Sequence, residues 1–181
     1  DPRVIDLPWL ARKLLVNGII VPFRAPKSAK IYRQLWELGR GQSPLLLNTQ
    51  KVQEKLKGRF KSSDVDVYMA MRYQNPSMVD VMEQMRARHY DHVIVLPLFP
   101  QYASASSGSA IEHAMKIMSQ WWSTPEISIV NQFWDNAGYI DSIVERAKAF
   151  NLEDYDHILF SYHGLPEKHV DKIYEGDDLC G

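Results

Sequence analysis

Cysteine is nearly absent. Cys180 is the single thiol in 181 residues, so no disulfide can form within the chain. That fits a reducing compartment, and the expected localisation is cytoplasmic. No apolar run approaches the roughly 18 residues of a membrane span, and no secretory leader pattern is recognisable. Neither charge prevails: 21 Lys/Arg stand against 22 Asp/Glu, which argues against bulk attraction to nucleic acid. There are no internal repeats and no low-complexity segment. The chain opens on Asp1-Pro2-Arg3 with no starting methionine and stops at Cys180-Gly181, so a piece trimmed at both ends is expected. What remains is an ordinary globular composition, 45% apolar and 24% charged, long enough for one full core or one and a half domains.

The small net charge hides a division. Residues 1–61 hold 13 Lys/Arg against 4 Asp/Glu, and the remaining residues hold 8 against 18. A basic face beside apolar sequence can meet an anionic ligand or an anionic membrane surface. A solvated helical face explains the same surplus.

Periodicity organises the chain. "LPWLARKLL" has helical spacing, and Pro22 and Pro26 are expected to break the run. "SAKIYRQLWELG" reads as a second helix capped by Ser28 and stopped by Gly39, and 46–58 as a third. From residue 64 onward strands and helices alternate. Strands are predicted at 65–73, 92–99, 126–133 and 157–163. The helices between them start at Ser77, near Ser107 or Ser109, and at Ala137. Such βαβαβαβ order implies an α/β fold with a parallel sheet flanked by helices. In such sheets ligands bind outside the carboxyl ends of the strands.

Three strand exits therefore matter. In "LFSYHGLPEKH" a strand runs into His163, followed by Gly164 and Pro166. Gly164 permits an unusual backbone angle or a close approach, and Pro166 suits a helix start. An imidazole held there can exchange protons or bind a metal, or it can simply hydrogen-bond a carbonyl. Glu167 and His169 do not complete a compact metal-ligand spacing. In "LPLFPQYASASSGSAIEH" a strand enters a hydroxyl-rich loop and then a helix whose free amides suit an anion. A helix start capped by Ser107 or Ser109 explains it equally. The spacing is neither a Walker loop nor a G-x-G-x-x-G fingerprint, so no nucleotide cofactor is expected. In "MRYQNP" Arg72 and Tyr73 leave a strand together, suited to a carboxylate and a flat apolar face, or to a surface ion pair. The remaining histidines, the tryptophans and the methionines read as ordinary surface or core residues, with Trp9 and Trp36 as exceptions in the basic part.

These segments, in this order, resemble ferrochelatase, the family that inserts ferrous iron into protoporphyrin IX in the last step of haem synthesis. "SYHGLPEKH" is the most specific match. "LPLFPQYASASSGS", "FRAPKSAKIYRQLW", "GQSPL" and "MRYQNP" follow the family's order and spacing. The resemblance implies two Rossmann-like domains with a porphyrin cleft between them: residues 1–135 as the first, lacking its first strand, and 136–181 as a linker helix and the start of the second. It implies His163 as the active-site histidine, acting as Fe²⁺ ligand or as base for the pyrrole protons. Arg72 and Tyr73 would border the pocket, and Ser43, Gln101 and Tyr102 would lie along it. An apolar and basic lip at about Leu7–Arg33 would face the porphyrin or a membrane.

The chain departs from the family pattern in places. Ala103 and Ala105 replace common hydroxyls, and Ser104 stands where some members carry an iron–sulfur ligand. "GDDLCG" replaces Gly-Asp-Pro-Tyr-Pro, so Cys180 reads either as a cluster ligand or as a lone thiol. The glutamate that faces the histidine in the family has no counterpart here. Besides a ferrochelatase with Fe²⁺ as substrate metal, two readings stay open: a tetrapyrrole-binding half-domain without catalysis, and a chelatase for another tetrapyrrole or metal.

Overall fold

The computed structural model describes residues 1–39, 41–167 and 169. Cys180, read as either a cluster ligand or a lone thiol, lies outside the described residues. The chain divides into two compact units. One comprises Asp1–Asp91 with His113–Pro125, the other His92–Glu112 with the chain from Glu126 onward.

The first unit opens with α1 (Trp9–Leu15), a wide π-wound stretch (Val16–Arg24) and α2 (Ala25–Leu38). Helical winding thus continues through both prolines expected to break it. Pro22 lies inside the π-wound stretch, where the hydrogen-bond ladder is already re-spaced. Pro26 lies in the first turn of α2, where an amide is unsatisfied anyway. That preset turn starts α2 before Ser28, which lies within the helix and does not cap it. Gly39 ends α2 as expected, its amide donating to the Leu35 carbonyl at 3.1 Å.

α3 (Pro44–Arg59) begins on a proline in its first turn. α4 (Met78–Arg86) starts at Ser77, whose hydroxyl accepts the Asp80 amide at 3.1 Å. Val81 and Met82 of α4 are buried. In α5 (Ser109–Met118), Ala110, Ala114 and Met118 recur every fourth residue and are all buried. That spacing places them on one helix face, and full burial of Met118 contributes about 1.5–3 kcal/mol.

The second unit contains the sheet. β1 (His92–Val95) and β2 (Glu126–Ile129) pair in parallel, with His92 opposite Glu126 and Val95 opposite Ile129. α5 lies on the crossover between them, as parallel pairing requires. The ladder runs one step further, with the Val130 amide donating to the Val95 carbonyl at 3.0 Å. His92 Nε2 sits 2.8 Å from Ser128 Oγ, the partnered role expected of an ordinary histidine. α6 (Ala137–Ala147) is capped by Asn136, whose side-chain oxygen accepts the Tyr139 amide at 3.3 Å.

The chain is therefore mixed α/β with an open parallel sheet. The expected outer strands differ. Residues 65–73 join no ladder among the described residues, apart from a single bridge in which the Met71 amide donates to the Pro76 carbonyl at 2.8 Å. Residues 157–163 likewise pair with no strand among the described residues, and Leu159 and Phe160 are 89% and 72% exposed. Alternation makes a segment competent to pair, but the strand exists only where a neighbour supplies donors and acceptors. No described helix is long and apolar enough to cross a membrane.

Candidate functional site

In the first unit, Ser43 is held by a loop that only glycine can make. A Cβ on Gly39 would lie 2.0 Å from the Gln42 carbonyl oxygen. Gly41 has φ +87°, in the left-handed region. The Gly41 amide donates to the Trp36 carbonyl at 2.8 Å and the Gln42 amide to the Gly39 carbonyl at 3.1 Å. Ser43 then precedes α3, half-buried. Its hydroxyl does not cap the helix and has no hydrogen-bond partner among the described residues.

Arg72 and Tyr73 follow the Met71 bridge, and the chain turns back through Gln74 at φ 68°. The structure brings the two side chains together, the guanidinium carbon 4.7 Å from the ring centre. Asp1 joins them. Its Oδ2 accepts from Arg72 Nη2 at 2.9 Å and from the Tyr73 hydroxyl at 2.8 Å. No motif singled out Asp1, because its partner is 71 residues away in sequence.

In the second unit, the loop after β1 is tied down at Pro100, whose carbonyl accepts the Phe133 amide at 2.9 Å. The Phe133 ring meets Tyr139 of α6 edge to face at 5.5 Å. Gln101 and Tyr102 follow that anchor, the first exposed and the second half-buried. Ser104–Gly108 then make a π-wound turn, in which the Gly108 amide donates to the Ala103 carbonyl at 3.1 Å. Ser107 is not the expected cap: it lies within that turn, fully buried, and its hydroxyl has no partner among the described residues. Ser109 is the first residue of α5.

His163 is exposed, with no hydrogen-bond partner among the described residues. No described residue comes within 4 Å of where a Cβ on Gly164 would stand, and its φ is not in the left-handed region. Pro166 does introduce a turn, its carbonyl accepting the His169 amide at 2.8 Å. Among the described residues no group of three or more His, Cys, Asp or Glu could hold a metal ion.

Comparison with known proteins extends this reading. The chain is 40% identical to a ferrochelatase of Legionella pneumophila (strain Corby) over 181 residues, which cover 99% of the chain and 52% of that protein. A ferrochelatase of Pseudomonas fluorescens biotype C is 36% identical, over 100% of the chain and 52% of the relative. One of Shewanella denitrificans (strain OS217) is 37% identical, over 94% and 53%. The chain thus spans about half the length of these curated relatives. The ferrochelatase family pattern matches residues 1–177, so the segments around Ser43, Arg72, Gln101 and His163 all fall within the match, and the chain belongs to the ferrochelatase family.

Proposed function

We propose that the full-length protein is a ferrochelatase that inserts Fe²⁺ into protoporphyrin IX to form haem. The observation that carries this is the family match over residues 1–177, which includes the exposed His163, without a hydrogen-bond partner among the described residues. Insertion releases two pyrrole protons and strips water from the ion without changing its oxidation state. A neutral imidazole serves either need, as proton acceptor or as borderline ligand for Fe²⁺, through the same lone pair. Iron is substrate here, not a resident cofactor. A four-thiolate cluster cannot be built from Cys180 alone, so a cluster reading requires further thiols.

The domain reading accompanies this proposal: residues 1–135 belong to a first Rossmann-like domain, and α6 links it to the start of a second at 136–181. Ser43, Tyr73, Gln101 and Tyr102 line the porphyrin site, and the macrocycle is distorted at the expense of its own burial. The exposed apolar residues Trp9, Leu10, Leu14 and Phe23 lie beside Arg12, Lys13 and Arg24. They form the surface for an anionic porphyrin edge and for peripheral contact with a cytoplasmic membrane face.

Because the chain spans 52% of its Legionella relative, a second reading applies to the 181 residues alone: they hold a tetrapyrrole without inserting metal. Anaerobic mixing of full-length protein with protoporphyrin and Fe²⁺ or Zn²⁺, followed by absorbance, tests the function. Metalloporphyrin formation above the protein-free rate is expected. Porphyrin binding without insertion favours the second reading. A strong preference for Co²⁺ points to a chelatase of another kind.

A further inference from the structure

The Asp1 carboxylate is well covered. The side chain keeps 6% of its exposure, and Arg72 keeps 26%. The exposure of Asp1 as a residue resides in its main chain. Donors converge on the carboxylate, among them Arg72 Nη2 at 2.9 Å and the Tyr73 hydroxyl at 2.8 Å on Oδ2, and the Arg3 amide at 2.8 Å on Oδ1. The Asp1 carbonyl accepts the Val4 and Ile5 amides at 3.3 and 3.1 Å, fixing the turn that carries it. A covered carboxylate is tolerated only when it is paired in this way.

The consequence falls on Tyr73. Its hydroxyl is held by Asp1, and its ring lies 4.7 Å from the Arg72 guanidinium. The ring is nevertheless half exposed, so apolar surface remains open. The cation of Arg72 already faces a carboxylate from its own chain.

We propose that Asp1 is a positioning residue. It neutralises Arg72 and fixes Tyr73, so that the pair offers the macrocycle a flat apolar wall and not a cationic anchor for its propionates. This rests on the porphyrin-site reading given under Proposed function.

The test compares protoporphyrin, a dicarboxylate, with its dimethyl ester, in Zn²⁺ insertion and in fluorescence-quenching titrations on full-length protein. In the isosteric variant Asp1→Asn the guanidinium loses the Asp1 charge and attracts the porphyrin's carboxylates more strongly. The diacid-to-diester affinity ratio is expected to rise about tenfold, the worth of one charge-assisted hydrogen bond. kcat is expected to fall for both porphyrins, and Asp1→Glu, which keeps the charge, to recover most of it. A merely structural aspartate lowers both rates and leaves the ratio unchanged, and that result overturns the proposal. Where Asp1→Asn does not fold, the double variant Asp1→Asn/Arg72→Gln, which removes both charges, decides. A wild-type ratio is expected, and loss of the diacid preference means that Arg72 was the anchor after all. A wild-type protein that binds porphyrin but inserts no metal defeats the chelatase reading, yet still judges Asp1 by the binding ratio. Binding of neither porphyrin overturns both.

Discussion

The Tyr90 hydroxyl donates to the Asp66 carboxylate across 24 residues of sequence. Tyr68 adds its own hydroxyl 2.8 Å away, and the two tyrosine rings stand edge to face at 6.0 Å. Burial first, then the Asp66 bond, then Tyr68 all favour the neutral phenol and push the Tyr90 pKa well above its ordinary value.

This network sets an alkaline limit on stability. The folded state holds the Tyr90 proton more tightly than the unfolded chain, whose tyrosine titrates near pH 10. The contribution is therefore fully present below about pH 10 and is lost as pH rises above it. Melting temperatures between pH 8 and 12 should fall more steeply for the wild type than for Tyr90→Phe. At neutral pH that variant should be destabilised by about 1 kcal/mol through the lost hydrogen bonds. Parallel melting curves across the range would exclude Tyr90 as the source.

Two glycines should respond in opposite directions. Gly39→Ala forces a Cβ to 2.0 Å from the Gln42 carbonyl oxygen, whereas Gly58, inside α3, has no described atom within 4 Å of the place an added methyl would take. Chemical denaturation should show Gly39→Ala losing about 1–3 kcal/mol, with porphyrin affinity falling as the loop that carries Ser43 shifts. Gly58→Ala should gain about 0.5–1 kcal/mol. Equal effects at both positions would show that the loop relaxes freely.

Ser77 gives a cleaner local measure. Its hydroxyl accepts the Asp80 amide at 3.1 Å and donates to Asp80 Oδ2 at 2.6 Å. Ser77→Ala should cost about 1 kcal/mol in urea denaturation, and Ser77→Asn, which can still accept the amide, should recover part of it. No change in the alanine variant would mean that α4 is held by the burial of Val81 and Met82 alone.

That cap was legible in the sequence, as were Asn136's helix, Gly39's stop and the parallel pair β1 and β2. Each follows from local chemistry: a hydroxyl or amide before an apolar-periodic run, a glycine after one, or a β-branched stretch with a helix-length crossover. The prolines misled because proline breaks a regular ladder, and Val16–Arg24 is not regular. The strands expected at 65–73 and 157–163 misled because pairing is a property of neighbours. Arg72, Tyr73 and His163 were legible as site candidates because they follow apolar stretches at motif spacing. Asp1 was not, since nothing local couples it to a guanidinium 71 residues away.

His163 carries the most consequential prediction. It is exposed and unpartnered among the described residues, so His163→Ala should leave the melting temperature and the circular dichroism spectrum unchanged. Metal insertion by the full-length protein should nevertheless fall by roughly 10²–10⁴-fold, the range for loss of a positioned proton acceptor. Wild-type rates in the variant would remove His163 from the chemistry. The choice of metal then separates its two roles. If the imidazole accepts pyrrole protons, Zn²⁺ and Co²⁺ insertion should fall by the same factor, because the proton step is common to both. If it ligates the ion, the factors should differ and follow each metal's affinity for imidazole.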